Sequence, residues 1–252
     1  MKVHELPEGS RISKGSHIKS LLMVSPNEDI TAVVALKDFD NHENQGPYLL
    51  MGTARGVMKK VAVSEFSNAK TRGIIAIKLD EGDKLVSALL TEGKDEIVLI
   101  SRKGRALRTH EEHIRAMGRS SRGVSGMKIG SDDELAGVLR VSEEKMLIIS
   151  EYGFGKRVDF NEFSSHGRGT GGQRICTITE KTGELIGCVS VLDNEEIMCI
   201  TSQGKSIKLK VSAIRVMGRS AQGVKILSID KPDFVIGVDR IVSEKNVAEA
   251  GI

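Results

Sequence analysis

A base follows each of four glycines at the same distance. Lys60 stands four residues after Gly56 (TARG), Arg108 after Gly104 (SRKG), Arg157 after Gly153 (SEYG) and Lys208 after Gly204 (TSQG). The glycines are 48, 49 and 51 residues apart, so the bases recur once per unit instead of gathering in one cluster. Ammonium and guanidinium groups at an even interval suit the phosphates of a nucleic acid, which carry charge but no sequence information. Lys59, Arg105, Lys156 and Lys205 stand beside them and are expected to line the same belt. Arg72, Arg115, Arg119, Arg122, Arg215 and Arg219 fall on flanking loops, and Arg168, Arg174 and Lys210 complete the set. From one residue before each glycine to nineteen after it there are nineteen Lys or Arg against five Asp or Glu; the rest of the chain holds eighteen against twenty-nine. A net charge of only +3 therefore conceals a basic belt, with acids gathered elsewhere in EGD, SDDE, SEE and DNEE. A curved belt would bend what it binds, at a cost on the order of 1 to 6 kcal/mol for a 20 to 30 base-pair site, so several units must contribute together.

Other chemistry is poorly supported. HEEH (110–113) spaces its histidines at i and i+3, not the i and i+4 of a zinc-protease helix. HGRGTGG (166–172) has no GK[ST] ending and reads as a flexible basic loop, while YGFG (152–155) reads as a hairpin turn. No nucleophile, base and orienting acid can be singled out, so the chain reads as non-enzymatic by itself, with no metal and no cofactor of its own. Cys176, Cys188 and Cys199 are odd in number without CxxC spacing, which suits small core hydrophobes in a reducing cytosol. The longest strictly apolar run, AVVAL, is far too short to span a membrane.

The elements that carry these bases follow from the repeat. RAMGRSSRG (115–123) and RVMGRSAQG (215–223) agree at six of nine positions one hundred residues apart. Ten residues after each turn glycine comes an apolar residue: Phe66, Ile114, Phe163 and Ile214. Apolar runs of four to eight residues, rich in Val and Ile and bounded by Gly, Asp, Asn and Ser, are strand punctuation. IVLISRKGRALR and IMCITSQGKSIKLK each read as two strands joined at a glycine turn. About four strands per fifty residues, arranged radially, makes an all-β propeller-like disc. The expected blades are 48–90, 97–141, 146–192 and 197–242, within a single repeat domain over 1–242. Residues 1–39 form a partial fifth copy in the same phase, lacking its first hairpin strand, as in the tail of a longer protein. A polar linker (40–47) and a C-terminal tail (243–252) complete the chain.

MGTARGVMKK followed by SEF, RAMGRSSRGVSGMKIG, EYGFGKRV and VMGRSAQGVKIL resemble the C-terminal domain of DNA gyrase A, over residues 1 to about 242. The resemblance implies a β-pinwheel of four-stranded blades whose basic rim wraps double-stranded DNA and presents it to the breakage-reunion core of gyrase A. It implies a cytoplasmic, nucleoid-associated bacterial protein. The core would supply the cleaving tyrosine, and gyrase B the ATP hydrolysis, so ATP and Mg belong to the rest of the holoenzyme. The family's QRRGGKG box is absent from this chain, and RGTGGQR (168–174) is at best a degenerate echo of it. The corresponding C-terminal domain of topoisomerase IV is the related alternative, and a protein-interaction propeller for an acidic partner is the alternative of a different class.

Overall fold

The computed structural model describes residues 3–241 except 11, 23, 26, 37, 38, 40–46, 70, 71 and 143. The expected tail (243–252) and nearly all of the expected linker lie outside the described residues. Among the described residues there are fifteen strands: β1 Tyr48–Thr53, β2 Val57–Ala62, β3 Leu85–Thr91, β4 Glu96–Ser101, β5 Arg105–His110, β6 Val124–Ser125, β7 Leu135–Arg140, β8 Lys145–Ser150, β9 Phe154–Val158, β10 Gln173–Arg174, β11 Leu185–Val191, β12 Glu196–Thr201, β13 Ser206–Lys210, β14 Val224–Lys225 and β15 Val235–Ile241. They form four antiparallel sheets, ordered β3-β1-β2-β6, β10-β5-β4-β7, β11-β8-β9-β14 and β13-β12-β15.

In each of the three four-stranded sheets the outer strand comes from the next repeat. β1, β2 and β3 take β6 from the second repeat, the second sheet takes β10 from the third, and the third takes β14 from the fourth. The sequence reading of a four-stranded unit thus holds in number, but the fourth strand is lent backwards. Among the described residues the fourth sheet has no lent strand and stops at three. The third strands β3, β7, β11 and β15 lie against one another in order and form the hub, leaving the lent strands at the rim.

All four turn glycines have the positive φ that their spacing predicts, between 76° and 79°. Three also lie too close to the next repeat for a side chain. A Cβ on Gly56 would meet the Met127 carbonyl at 2.4 Å, and one on Gly153 the Leu227 carbonyl at 2.6 Å.

The core lies between blades, not within them. On β4, Ile97 and Leu99 pack toward the first blade with Leu50 and Met58, while Val98 and Ile100 pack toward the third with Met146 and Ile148. Both faces of the strand are buried, so it reads as an unbroken apolar run instead of an alternating one. Ile114, Phe163 and Ile214, the residues ten beyond the turn, sit in these interfaces at no more than 2 % exposure. Cys176 and Cys199 are buried there as free thiols, and burial pushes their pKa values up to about 11.

Residues 3–39 hold a 3-10 turn (Val3–Glu5) and one helical turn, α1 (Ile18–Leu21), and no strand among the described residues. DITAVVAL occupies the repeat position of β3 but forms no ladder among the described residues. No helix among the described residues is long and apolar enough to cross a membrane.

Candidate nucleic-acid interface

The base four residues after the turn glycine points inward in three blades. Lys60 and Arg157 are each 5 % exposed, and Arg108 is largely buried. In these three blades the second hairpin strand runs alongside the loop of the next repeat, with parallel bridges Lys60↔Ala116, Arg108↔Ser165 and Arg157↔Val216. Lys60 Nζ donates to the Glu111 carbonyl at 3.1 Å, Arg108 to the Phe160 carbonyl at 3.0 Å and Arg157 Nε to the Ile214 carbonyl at 2.7 Å. These are carbonyls of the short 3-10 turn in the following repeat or of the residue just beyond it. Carboxylates neutralise the rest: Glu111 lies 3.5 Å from Lys60, Glu96 grips Arg108 and Asp193 grips Arg157. The Arg108 hydrogen bond holds the Glu96 carboxyl below its usual range.

Lys59 and Lys156, one position earlier, are fully buried. Lys59 Nζ donates to the carbonyls of Ala76 and Ser121, both at 2.8 Å, and to that of Arg119. Lys156 Nζ donates to the carbonyls of Gly218 and Arg219, each at 2.8 Å. Burial lowers both pKa values, that of Lys156 to about 8, and nearby Arg119 lowers that of Lys59 further. The expectation that Lys59, Lys60, Arg108, Lys156 and Arg157 face outward as a belt therefore fails on placement. In a pinwheel the residues facing the neighbouring blade have the same period as those facing solvent, so spacing alone does not separate them.

The loops they hold form the rim. Counted back from the loop glycines Gly123, Gly172 and Gly223, an arginine stands at the fourth position each time: Arg119, Arg168 and Arg219. Each donates to the carbonyl two residues beyond the preceding loop glycine, to Ile75 (3.4 Å), Ser125 (3.0 Å) and Arg174 (3.4 Å) respectively. One guanidinium per blade thus bridges consecutive loops along the rim. The sequence signal was available: xGRxxxG occurs in MGRSSRG, HGRGTGG and MGRSAQG alike, although the third-repeat loop reads by itself as loose glycine. That loop is held, with Lys128 N bonded to the Thr170 carbonyl and Arg105 reaching the carbonyls of Gly171 and Gly172.

The remaining bases divide by pairing. Arg122 is tied to Asp80, Lys205 lies 3.7 Å from Asp233, and Lys208 lies 2.9 Å from Glu196. The acids expected elsewhere thus reach part of the belt, Asp80 and Asp233 from the turns before β3 and β15 and Glu196 from the start of β12. Arg72, Arg115, Arg174, Lys210 and Arg215 are exposed and pair with no carboxylate among the described residues. Lys128 and Lys225, missed by the sequence reading because they lie just past the windows counted, are exposed as well. An exposed arginine that faces no carboxylate can meet a phosphate bidentately without first losing an ion pair.

A family model described as "DNA gyrase C-terminal domain, beta-propeller" matches residues 1–37, 47–92, 95–142, 144–191 and 195–241. The chain is 55% identical over 243 residues to DNA gyrase A of Treponema pallidum (strain Nichols), covering 96% of this chain and 29% of that protein. It is 35% identical over 242 residues to DNA gyrase A of Escherichia coli (strain K12), covering 96% and 27%. The chain therefore spans less than a third of these relatives. A solved DNA gyrase A C-terminal domain superposes with a TM-score of 0.81 at 27% identity, over 91% of this chain and 76% of that one. The C-terminal domain of DNA topoisomerase IV superposes at 0.85 with 24% identity, over 99% and 78%, a likeness of fold alone.

Proposed function

Because the chain belongs to the DNA gyrase C-terminal domain family, we propose that its rim binds duplex DNA without regard to sequence and bends it around the disc. The observation that carries this reading is the series Arg119, Arg168 and Arg219, one guanidinium per blade between consecutive loops, flanked by Arg115 and Arg215, which meet no carboxylate among the described residues. Evenly spaced charge along a curved edge follows a phosphate backbone, and no single contact has to carry the binding. Within a type II topoisomerase the bent DNA would be presented to the breakage-reunion core of gyrase A, with ATP hydrolysis supplied by gyrase B. The protein would then work in the bacterial cytoplasm, on the nucleoid.

Titration of the chain into labelled duplexes of two unrelated sequences tests the reading. Equal affinities that fall steeply with salt support it. Preference for an acidic polypeptide over either duplex would favour a protein-interaction disc instead. In the gyrase family the QRRGGKG box is what handed wrapping would require, and that string does not occur in these 252 residues, so these residues by themselves are expected to bend DNA without handed wrapping. With closed-circular DNA and a nicking-closing enzyme they should change the linking number little. A large change would assign handedness to the loops present here, with RGTGGQR (168–174) the first to mutate.

A further inference from the structure

We propose that Lys59 and Lys156 are positioning residues for DNA binding, buried ammonium groups that fix the two MGRS loops so that their arginines face the duplex together. The inference rests on the DNA-binding reading above. A lysine at this repeat position occurs in the first and third blades, whose next repeats carry MGRSSRG and MGRSAQG; the second blade, followed by HGRGTGG, has Leu107 there. The fourth blade has Ile207. Type and contact therefore vary together: a lysine lies wherever the neighbouring loop is MGRS, and its Nζ ends on that loop's carbonyls.

The bonds fall where they fix the arginine. Lys59 takes the carbonyl of Arg119 itself and of Ser121, and Lys156 those of Gly218 and Arg219. Lys59 also takes the Ala76 carbonyl of the first-repeat loop, and the Arg119 guanidinium takes the adjacent Ile75 carbonyl. One buried cation thus joins two loops from beneath while an arginine joins them from the side. Burying an ammonium is costly unless several acceptors surround it, and these acceptors are all backbone carbonyls of rim loops. Held backbones spare each arginine part of the ordering entropy that binding a phosphate otherwise requires.

The test compares the whole chain with a Lys59→Met, Lys156→Met variant and with Leu107→Ala, which perturbs the same repeat position where no ammonium exists. Each is titrated with a labelled duplex at several salt concentrations, at a temperature where all are folded by circular dichroism. The methionine variant should bind about tenfold more weakly, with a log-log salt slope shallower by about two units as the two loops lose their phosphates. Leu107→Ala should keep the wild-type slope. If the methionine variant does not fold, Lys156→Gln, whose amide retains two donors, replaces it and should bind nearly as wild type; a loss as large as that of Arg219→Ala would overturn the proposal. Wild-type affinity and slope in the methionine variant would also overturn it, leaving the DNA reading intact. A wild-type chain that binds no duplex would remove both.

Discussion

Lys208 and Lys60 occupy the same position of the repeat and have opposite surroundings. The Lys60 side chain is 7 % exposed and holds a carbonyl of the next blade; that of Lys208 is 55 % exposed and pairs with Glu196. Their turn glycines differ in parallel. A Cβ on Gly56 would strike Met127, whereas one on Gly204 would meet nothing within 4 Å. The fourth blade also presents Ile200 at 43 % exposure, where the corresponding Ile100 of the second blade is fully buried. The difference teaches that the periodic base is first a staple between repeats. In the fourth blade, where no lent strand packs beside it among the described residues, the base lies at the surface.

The largest effect expected from this contrast is on stability. Lys60→Met leaves the Glu111 carboxylate buried without its cation and should cost about 3–5 kcal/mol in urea unfolding, whereas Lys208→Met should stay within about 0.5 kcal/mol of wild type. Equal costs would break the comparison. Next come the glycines, replaced by asparagine because it tolerates positive φ. Gly56→Asn should cost about 1–3 kcal/mol from overpacking against Met127, and Gly204→Asn distinctly less by the same assay.

A smaller effect sharpens the account of the buried lysines. Burial lowers the Lys156 pKa in the folded chain to about 8, below its unfolded value, so between pH 8 and 10 the unfolded state binds more protons. Stability contributed by this group should therefore rise with pH across that window, and the rise should be missing in Lys156→Met. Nitrogen-detected titration should find one lysine Nζ changing near pH 8, ahead of those on the surface. Titration of every lysine near 10 would contradict the burial argument.

Much of the fold was legible because backbone requirements repeat. The turn glycines with positive φ, the apolar residue ten positions later and the Val- and Ile-rich runs set the phase and number of blades. The lending of β6, β10 and β14 was not legible, since a two-residue strand such as Val124–Ser125 has no periodicity and pairs across nearly seventy residues. The candidate site was half legible. Arg115, Arg215 and Arg174 lie exposed as expected, but Lys59, Lys60, Lys156 and Arg157 lie inside because the charge of a side chain does not reveal which neighbour it faces. Their flanks held a hint: in VMKKVA and FGKRV the bases sit within apolar strands, where an outward belt would more naturally alternate.

The most direct test of the central claim, that exposed loop arginines and not the periodic bases meet DNA, is the salt dependence of duplex binding for two variants. Arg115→Ala with Arg215→Ala removes loop charge, and Arg108→Met removes a staple already neutralised by Glu96. The loop variant should make the log-log slope shallower by up to about two units, while Arg108→Met, measured where it remains folded, should leave it unchanged. The reverse order, with Arg108→Met flattening the slope and the loop variant matching wild type, would place the DNA on the inter-blade bases and contradict the account.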